Sequence, residues 1–313
     1  MALLASFEQV RRCAPRGCRI AVAGADDSAV LEAVALAVRE GIVAGGVLCM
    51  SRAPGQEAQA LVADAGLASD QFVVIGGTSE AGDALACQKA VAAVRRGQAG
   101  ILMKGFVQTA DFMRAVLNRD EGLSCGQVLS QTGIYEIPGM GRLICMADVG
   151  IVITPDLQQL AGIAAGAVQV ATALGIRRPK VAMLSSVETV NLAIPGNGNA
   201  ALIVQMAARG QIRDARHALF DGPLALDNAV SPEAAAHKGI ASDVAGRADV
   251  LVAPDLNSGN MLAKSVIYLA HAGAAGVVTG ARCPIVLTSR ADTPETKLNS
   301  MAVAAVLGSS RQE

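Results

Sequence analysis

Residues 19–50 read RIAVAGADDSAVLEAVALAVREGIVAGGVLCM, and this stretch decides the fold class. Short apolar runs at residues 19–23 and 47–50 predict strands, and the longer run at residues 28–40 between them predicts a helix. Ser28 is the predicted N-cap of that helix. A strand, a helix and a strand in succession form the repeating unit of a parallel sheet.

The same alternation continues almost to the end of the chain, so the predicted fold class is α/β with a mostly parallel sheet. The strands mostly lack apolar–polar alternation, as expected when helices cover both faces of a sheet. Further strands are predicted at residues 72–75, 100–103, 143–146, 181–184, 250–253, 275–279 and 285–288. Further helices are predicted at residues 82–96, 111–118, 157–174, 200–209 and 259–271. Residues 122–141 lack strong periodicity, and we place a crossover there.

The composition favours small molecules as partners. Of the 313 residues, 52% are hydrophobic and only 2% aromatic, so aliphatic side chains must build the core. The formal net charge is −1 and no stretch clusters Lys and Arg, which argues against nucleic acid and anionic membranes as partners. The uncharged run at residues 157–176 contains Gln158, Gln159 and Gln169, and we interpret it as a buried helix rather than a membrane span.

The cysteines and the N-terminus favour a cytoplasmic protein. Seven scattered cysteines without a CxxC pair and three isolated histidines predict neither a disulfide framework nor a zinc site. An odd number of thiols suits a reducing compartment. Glu8 interrupts the only apolar stretch near the N-terminus, so no export signal is predicted.

Polar residues follow several predicted strands at their carboxyl ends, where open parallel sheets bind ligands. These residues are Lys104, Asp156, Ser185, Asn257 and Ser289. The first strand-to-helix junction, AVAGADDS at residues 21–28, is different. It has one glycine where a dinucleotide-binding loop needs three, and its two acids would repel a pyrophosphate, so we interpret it as a capped helix start.

The segment PDLNSGNMLAK at residues 254–264 follows a strand and opens a helix. Backbone N–H groups, Asn257, Ser258 and Asn260 would surround the helix N-terminus and could hold an anion, to which Lys264 could add charge. Simple capping by Ser258 and a solvated Lys264 are the structural alternative, and the two interpretations are equally supported by these residues.

The segment PIVLTSRAD at residues 284–292 brings Ser289, Arg290 and Asp292 together after a strand, and Thr293 and Pro294 begin another helix. No histidine lies nearby to activate a serine, so a serine-acyl mechanism is disfavoured.

Two more residues have ordinary structural explanations when they are considered alone. Arg114 lies on a short helix, where a surface arginine is the default interpretation. Asp221 precedes a Gly-Pro pair that could simply reverse the chain after a strand.

Taken together, these segments closely resemble the phosphate acetyltransferase and phosphate butyryltransferase family. The resemblance rests on ILMKGFVQTADFMRAVLN, LSSVETVN, FDGPLALDNAVSPEAAAHKGI, VAGRADVLVAPDLNSGN and PIVLTSRAD, in that order along the chain. The phrases ALDN, AAHKGI and LTSRAD resemble the butyryl-type branch, whereas PDLNSGN also resembles the acetyl-type branch.

The resemblance implies a two-domain α/β/α fold like that of isocitrate and isopropylmalate dehydrogenases. One domain would comprise residues 1–128 and 276–313, and the other residues 129–275, with the active-site cleft between them. The resemblance also implies a homodimer, with coenzyme A, acyl-CoA, inorganic phosphate and acyl phosphate as substrates and products. Coenzyme A would be a substrate, and no tightly bound cofactor is expected.

The family's Ser-Arg pair falls on Ser289 and Arg290, which would hold the thiol sulfur and the phosphate or acyl oxygen. Arg114 matches an arginine that binds the phosphoryl group. The residues expected to contact substrate elsewhere are Lys104, Ser185, Ser186, Asp221, Asn257, Gly259, Asn260 and Lys264.

Two positions depart from the family pattern. Acetyl-type enzymes have a proposed catalytic aspartate seven residues after the serine, where this chain has Thr296. Asp292 and Glu295 are the nearest acids, with Asp292 favoured because the butyryl-type motif has an acid there. Gln131 follows Ser130 where butyryl-type relatives commonly have histidine.

The expected reaction is direct attack of phosphate on the thioester in a ternary complex, with a butyryl-like acyl group favoured and acetyl as the alternative. Two other functions stay open at this stage. One is a metal- and NAD-dependent decarboxylating dehydrogenase of the same superfamily, which needs a cluster of acids for a divalent ion. Asp221, Asp227 and Asp255 could supply such a cluster, although the decarboxylating sequence pattern is not visible. The other is a CoA-binding protein without catalysis, suggested by Gln131 and Thr296.

Overall fold

The computed structural model describes residues 2–77, 82–289 and 291–310, and in these ranges the chain is α/β, as predicted. The elements are α1 (Phe7–Cys13), β1 (Cys18–Ala23), α2 (Ser28–Arg39), β2 (Val43–Cys49), α3 (Gly55–Asp64), β3 (Phe72–Ile75), α4 (Gly82–Arg95), β4 (Ile101–Lys104), α5 (Thr109–Val116), β5 (Ser130–Glu136), β6 (Leu143–Ala147), α6 (Leu157–Ala173), β7 (Lys180–Leu184), α7 (Asn197–Ala208), β8 (Leu219–Leu224), α8 (Leu226–Val230), α9 (Pro232–His237), β9 (Val250–Val252), α10 (Leu256–Tyr268), β10 (Gly273–Thr279), β11 (Ile285–Val286) and α11 (Pro294–Ser309). Residues 122–141, which lacked periodicity, contain β5.

The chain divides into two compact units. The first unit comprises Glu8–Gln127 and Ala275–Glu313, and the second comprises Met1–Phe7 and Val128–Ala274. The sequence-based division kept the N-terminal residues with the first domain, but the structure ties them to the second unit. The Leu4 N–H donates to the Leu174 carbonyl at 2.9 Å, and the Phe7 N–H donates to the Glu136 carboxylate at 2.8 Å. Local sequence carries no sign of such long-range contacts.

In the first unit the strands lie in the order β3, β2, β1, β4, β11 and β10. All neighbours are parallel except β10 and β11. Ala23 pairs with both Cys49 and Lys104, so β1, β2 and β4 end at one edge of the sheet. Side chains that follow these strands therefore share a single edge.

Strand β2 begins four residues earlier than the sequence predicted, at Val43 rather than at residue 47. The Gly45-Gly46 pair has weak strand propensity, which hid the first half of the strand. The structure shows why glycine is needed there, because a Cβ on Gly46 would lie 1.8 Å from the Ile20 carbonyl oxygen of β1.

In the second unit the order is β5, β6, β9, β7 and β8, with only the β5–β6 pair antiparallel. Helix α6 is buried along most of its length by Ile163, Ala164, Ala167 and Val168 among others. No helix in the described residues is long and apolar enough to cross a membrane. The burial of these α6 residues places the uncharged run in the core of this unit, as expected.

Candidate functional site

At the first strand-to-helix junction, the carboxylates of Asp26 and Asp27 both accept hydrogen bonds from the protein itself. Asp27 is the N-cap of α2 and accepts a hydrogen bond from the Val30 N–H at 3.1 Å, so the prediction of Ser28 as the cap was wrong by one residue. Asp26 accepts hydrogen bonds from the Ser51 N–H at 2.6 Å and from the Ser51 hydroxyl at 2.9 Å. Both acids are engaged in holding the fold, in agreement with the interpretation of this junction as a capped helix start.

The contacts of Asp26 predict a dependence of stability on pH. Burial raises the pKa of its carboxyl, but hydrogen bonds from three backbone N–H groups and the Ser51 hydroxyl outweigh burial and hold the pKa below its ordinary value. Ionised Asp26 therefore stabilises the fold above the ordinary carboxyl pKa, and this contribution is lost as the pH falls through the lowered pKa.

We expect Asp26→Asn to lower the free energy of unfolding at pH 7 and to flatten its decline between about pH 5 and pH 2. Urea unfolding followed by circular dichroism at several pH values measures both quantities. Parallel pH curves for the variant and the wild type would contradict this role of Asp26.

Lys104, the last residue of β4, places an ammonium group at the carboxyl edge of the first sheet. It is only 3% exposed, and its Nζ donates to the Gly105 carbonyl at 3.3 Å. Gly105 lies so close to the loop after β1 that a Cβ there would be 2.1 Å from the Gly24 carbonyl oxygen. The backbone directly after Lys104 is therefore closely packed against the loop after β1.

The segment after β11 forms a tight turn between Ser289 and Asp292. The Ser289 N–H donates to Asp292 Oδ2 at 2.7 Å, and the Asp292 N–H donates back to the Ser289 carbonyl at 3.2 Å. The Ala291 N–H points to the Ser289 hydroxyl oxygen at 3.4 Å. Arg290 lies outside the described residues. The structure thus brings Ser289 and Asp292 together, as the sequence predicted.

Helix α11 begins directly after this turn, as predicted. Thr293 is its N-cap and accepts a hydrogen bond from the Thr296 N–H at 3.2 Å. Thr296, which stands where acetyl-type enzymes have an aspartate, therefore belongs to the helix cap. Glu295 is an exposed residue of the first turn, and its carboxylate lies 3.5 Å from Arg11 Nη1.

Lys297 is a buried residue of α11 that the sequence did not single out. Only 3% of its surface is exposed, and its Nζ donates to the Asp292 carbonyl oxygen. A buried ammonium group is expensive unless polar groups surround it. Here the ammonium group of Lys297 binds the backbone of Asp292, at the end of the Ser289–Asp292 turn.

Arg114 lines a groove of about 330 Å³ between α4 and α5. Its guanidinium pairs with the Asp111 carboxylate one turn earlier, and 72% of its side chain is exposed. Arg95 and Arg96 line the same groove, whereas Lys104 and Ser289 do not. The structure therefore does not place Arg114 in one pocket with the other predicted residues of the first unit.

In the second unit, Ser185 follows β7 at the carboxyl edge of the sheet. Its N–H donates to the Leu224 carbonyl at 2.9 Å, and its hydroxyl oxygen accepts a hydrogen bond from Asn197 Nδ2 at 2.9 Å. Ser186, the next residue, is exposed. Ser185 is thus rigidly held, while Ser186 extends towards solvent.

Asp221 lies within β8 opposite Ala182 of β7. Its carboxylate accepts the Gly222 N–H at 2.8 Å. The strand continues through Pro223 to Leu224, so the alternative in which Gly222 and Pro223 reverse the chain was wrong. A proline is tolerated here because β8 is at the edge of the sheet.

Helix α10 starts with a carboxylate at its N-terminus. Asp255 is the N-cap and accepts the Ser258 N–H at 2.9 Å and the Ser258 hydroxyl at 3.1 Å, so Ser258 is not the cap that the sequence predicted. The Asp255 charge disfavours a phosphate at this helix end. Asn257 is exposed. The ammonium nitrogen of Lys264 lies 5.9 Å from the ring centre of Tyr268.

Gly259 and Asn260 attach α10 to the loop after β6. A Cβ on Gly259 would lie 2.0 Å from the Asp148 carbonyl oxygen, and Asn260 Nδ2 donates to the Val149 carbonyl at 3.0 Å. Their observed contacts are therefore structural. Gln131, at the second departure from the family pattern, packs over Gly150 in the same loop.

Asp148 organises that loop and was not identified from the sequence. It is 3% exposed, and its carboxylate accepts N–H groups from Gln131, Gly150, Ile151 and Val152 at 2.8–3.3 Å. Burial raises the pKa of its carboxyl, and the four N–H groups oppose the shift. The signal in the sequence was an acid directly after the buried run LICMA.

Among the described residues, no three His, Cys, Asp or Glu side chains are grouped as a metal site. Asp221, Asp227 and Asp255 in particular form no such group in this part of the chain.

The family is identified by comparison with known proteins. The family model described as phosphate acetyl/butaryl transferase matches residues 78–305, which include Lys104, Ser185 and the Ser289–Asp292 turn. The chain belongs to this family. The resemblance found in the sequence is therefore confirmed, and the family is one of acyltransferase enzymes.

Individual members of this phosphate acyltransferase family match closely. A probable phosphate butyryltransferase of Bacillus subtilis is 50% identical over 215 residues, covering 69% of this chain and 71% of the relative. A phosphate acetyltransferase of Thermotoga maritima is 38% identical over 291 residues, covering 93% and 95%. The crystal structure of a branched-chain phosphotransacylase from Enterococcus faecalis V583 has a TM-score of 0.79 at 30% identity, covering 93% of this chain and 99% of that chain.

Proposed function

We propose that the chain reversibly transfers a short acyl group, with a butyryl-like group favoured, between coenzyme A and inorganic phosphate. Family membership supports the reaction class, and the Ser289–Asp292 turn is the observation that supports the assignment of reacting groups. The 50% identical relative is named for butyryl transfer, and the phrases ALDN, AAHKGI and LTSRAD agree with that branch. Acetyl-CoA is the alternative substrate, since a nearly full-length relative is a phosphate acetyltransferase.

The reaction proceeds by direct attack in a ternary complex. A phosphate oxygen attacks the thioester carbonyl carbon, the C–S bond breaks, and coenzyme A leaves as a thiolate that takes up a proton. In reverse, a base removes the proton from the thiol, because the thiolate is the nucleophile and a free thiol with a pKa of about 8.5 is mostly protonated at neutral pH. No covalent enzyme intermediate is required.

Asp292 is the base that the contacts favour. Its Oδ2 is occupied by the Ser289 N–H, and within the described residues its Oδ1 accepts no hydrogen bond and is available for a proton. Glu295, the other acid, lies 3.5 Å from Arg11 with 74% of its side chain exposed. Ser289 is exposed beside Asp292 and would orient the sulfur.

Positive charge is supplied mainly by the first unit. Arg290 would neutralise the phosphate and stabilise charge that develops on the carbonyl oxygen, and the buried ammonium of Lys104 would attract the same anion. Arg114 would bind a phosphoryl group after exchanging its present partner Asp111. Positioning the two reactants and screening charge supply much of such a barrier.

The proposed substrate contacts within the second unit are Ser185, Ser186, Asp221, Asn257, Gly259, Asn260 and Lys264. Coenzyme A enters as a substrate rather than as a bound cofactor. We also propose that the enzyme works in the cytoplasm and as a homodimer.

The test is phosphate-dependent release of free thiol from acetyl-, propionyl-, butyryl- and longer acyl-CoAs. We expect release to require phosphate and to be fastest with a butyryl-like acyl group. One methylene in an apolar pocket discriminates by about 1–3 kcal/mol, so neighbouring chain lengths should differ by at least about fivefold. If thiol release is fastest with acetyl-CoA, the transferred group is acetyl and not butyryl.

Two serine variants accompany this measurement. Ser289→Ala should lower turnover by about tenfold through loss of one hydrogen bond. Ser309→Ala is the matched control, since among the described residues the Ser309 hydroxyl bonds only within its own helix, to the Val306 carbonyl at 2.9 Å. Binding of coenzyme A without thiol release from any acyl-CoA would favour the non-catalytic alternative.

A further inference from the structure

Asn197 is a fully buried polar residue at the start of α7 that the proposed mechanism does not use. It faces the loop that follows β7 and begins with Ser185. Gly196, just before it, has φ +78°, and a Cβ there would lie 2.8 Å from the Pro254 side chain. The start of α7 is therefore packed in one position, and the Asn197 amide is held with it.

The orientation of the Asn197 amide is fixed by two backbone groups. The Asn191 N–H donates to Asn197 Oδ1 at 2.8 Å, and Asn197 Nδ2 donates to the Thr189 carbonyl at 3.2 Å. A backbone N–H can only donate and a carbonyl can only accept, so the amide oxygen and nitrogen cannot be exchanged. Asn197 must therefore present an N–H, and not an oxygen, to Ser185.

This direction determines what the Ser185 hydroxyl can do. Its oxygen accepts the second Nδ2 proton of Asn197 at 2.9 Å, so its own proton must point elsewhere. No described residue accepts that proton. Ser185 is half-buried, and its backbone is fixed by the bond to Leu224, so the hydroxyl is an oriented donor at the carboxyl edge of the sheet.

We propose that Asn197 is a positioning residue that makes Ser185 a hydrogen-bond donor to a substrate oxygen, either of phosphate or of the acyl-CoA. This inference rests on the proposed acyl transfer, because it assumes that Ser185 contacts a substrate of that reaction. The two sources of the oxygen are distinguished by which substrate loses affinity when the donor is lost.

The decisive variant is Asn197→Asp, which keeps the size of the side chain but removes both Nδ2 protons. A carboxylate still accepts the Asn191 N–H, but it would also accept the Ser185 proton and turn it away from the substrate. Asn197→Asp also removes the hydrogen bond from Nδ2 to the Thr189 carbonyl, which is a structural effect that does not involve Ser185. A double-mutant cycle with Ser185→Ala separates the two effects.

We expect Asn197→Asp to raise the KM for one substrate by about tenfold in the wild-type background, as for loss of one hydrogen bond to a charged group. The same change in the Ser185→Ala background should have less than about a twofold effect, because the effects of coupled residues are not additive. A raised KM for phosphate identifies a phosphate oxygen, and a raised KM for acyl-CoA identifies an oxygen of that substrate. Thermal unfolding of all four proteins checks that they fold.

Equal effects of Asn197→Asp in both backgrounds would overturn the proposal, and so would an unchanged KM for both substrates in Ser185→Ala. Wild-type protein without phosphate-dependent thiol release would instead refute the acyl transfer itself. In that case the same cycle is measured as the Kd for coenzyme A and for phosphate by calorimetry. If the effects of Asn197→Asp and Ser185→Ala on either Kd are not additive, Asn197 remains the group that orients Ser185. Additive effects on both Kd values would overturn the proposal.

Discussion

Arg290→Ala is expected to lower phosphate-dependent turnover by at least about a hundredfold, comparable to the loss of one group that stabilises charge in a transition state. The attack of phosphate on a thioester creates negative charge on the carbonyl oxygen while the phosphate itself is already anionic. A guanidinium group can bind two such oxygens at once. Since the charge on the carbonyl oxygen exists only in the transition state, kcat should fall more than KM rises.

The neighbours of Arg290 support this expectation. Ser289 and Asp292, described residues on either side of it, are joined by hydrogen bonds in both directions. Lys297 fixes the same turn through the Asp292 carbonyl.

Two further arginine variants make the experiment specific. Arg290→Lys keeps the charge but not the planar fork, and we expect an activity between those of the wild type and Arg290→Ala. Arg282→Ala is the matched control, because Arg282 is exposed and its side chain has no ion pair among the described residues. Turnover within about threefold of wild type in Arg290→Ala would refute the role of the arginine, since a transition-state donor is worth far more than that.

The architecture was largely predictable, because strands buried on both faces appear as short continuous apolar runs, and these alternate with longer helical segments along the chain. Strand β3 and the start of α6 were predicted to the residue. The errors arose where one residue has two roles. The Gly45-Gly46 pair is typical of a loop, but here it allows β1 to approach β2 closely. Asp27 was interpreted as a charge that would repel a pyrophosphate, and in the structure it also caps α2.

The candidate site was predictable only in its parts that are contiguous in sequence. Ser289 and Asp292 are three residues apart, so a turn brings them together whatever the rest of the fold does. Asp148 accepts the N–H of Gln131, which lies in β5, and Asn197 contacts backbone groups of Asn191 and Thr189 in the irregular loop before α7. The local sequence does not show which polar residues will be buried or which backbone groups they will contact.

The sharpest test of the mechanism concerns Asp292, which has two roles that one substitution can separate. Asp292→Asn keeps an oxygen that can accept the Ser289 N–H, so the turn should persist, but the amide cannot take a proton from the coenzyme A thiol. We expect acyl transfer from acyl phosphate to coenzyme A to slow by about 10²–10⁴-fold at pH 7, as for loss of a general base. Thiol consumption measured over a range of pH checks this result.

The pH dependence distinguishes a lost base from a damaged turn. As the pH rises past about 8.5, coenzyme A forms thiolate without help, so the deficit of Asp292→Asn should shrink. A damaged turn would leave the deficit unchanged at every pH. Glu295→Gln is the matched control, and because its exposed pair with Arg11 contributes little, its activity should stay within about twofold of wild type.

The other outcomes assign the roles differently. Full activity in Asp292→Asn together with loss of activity in Asp292→Ala would make Asp292 a cap of the turn and not a base. A deficit that appears in Glu295→Gln and shrinks above about pH 8.5 would move the base to Glu295, despite its exposure. The two acids stand on opposite sides of the Thr293 cap, so this comparison also decides whether the chemistry belongs to the turn or to the first turn of α11.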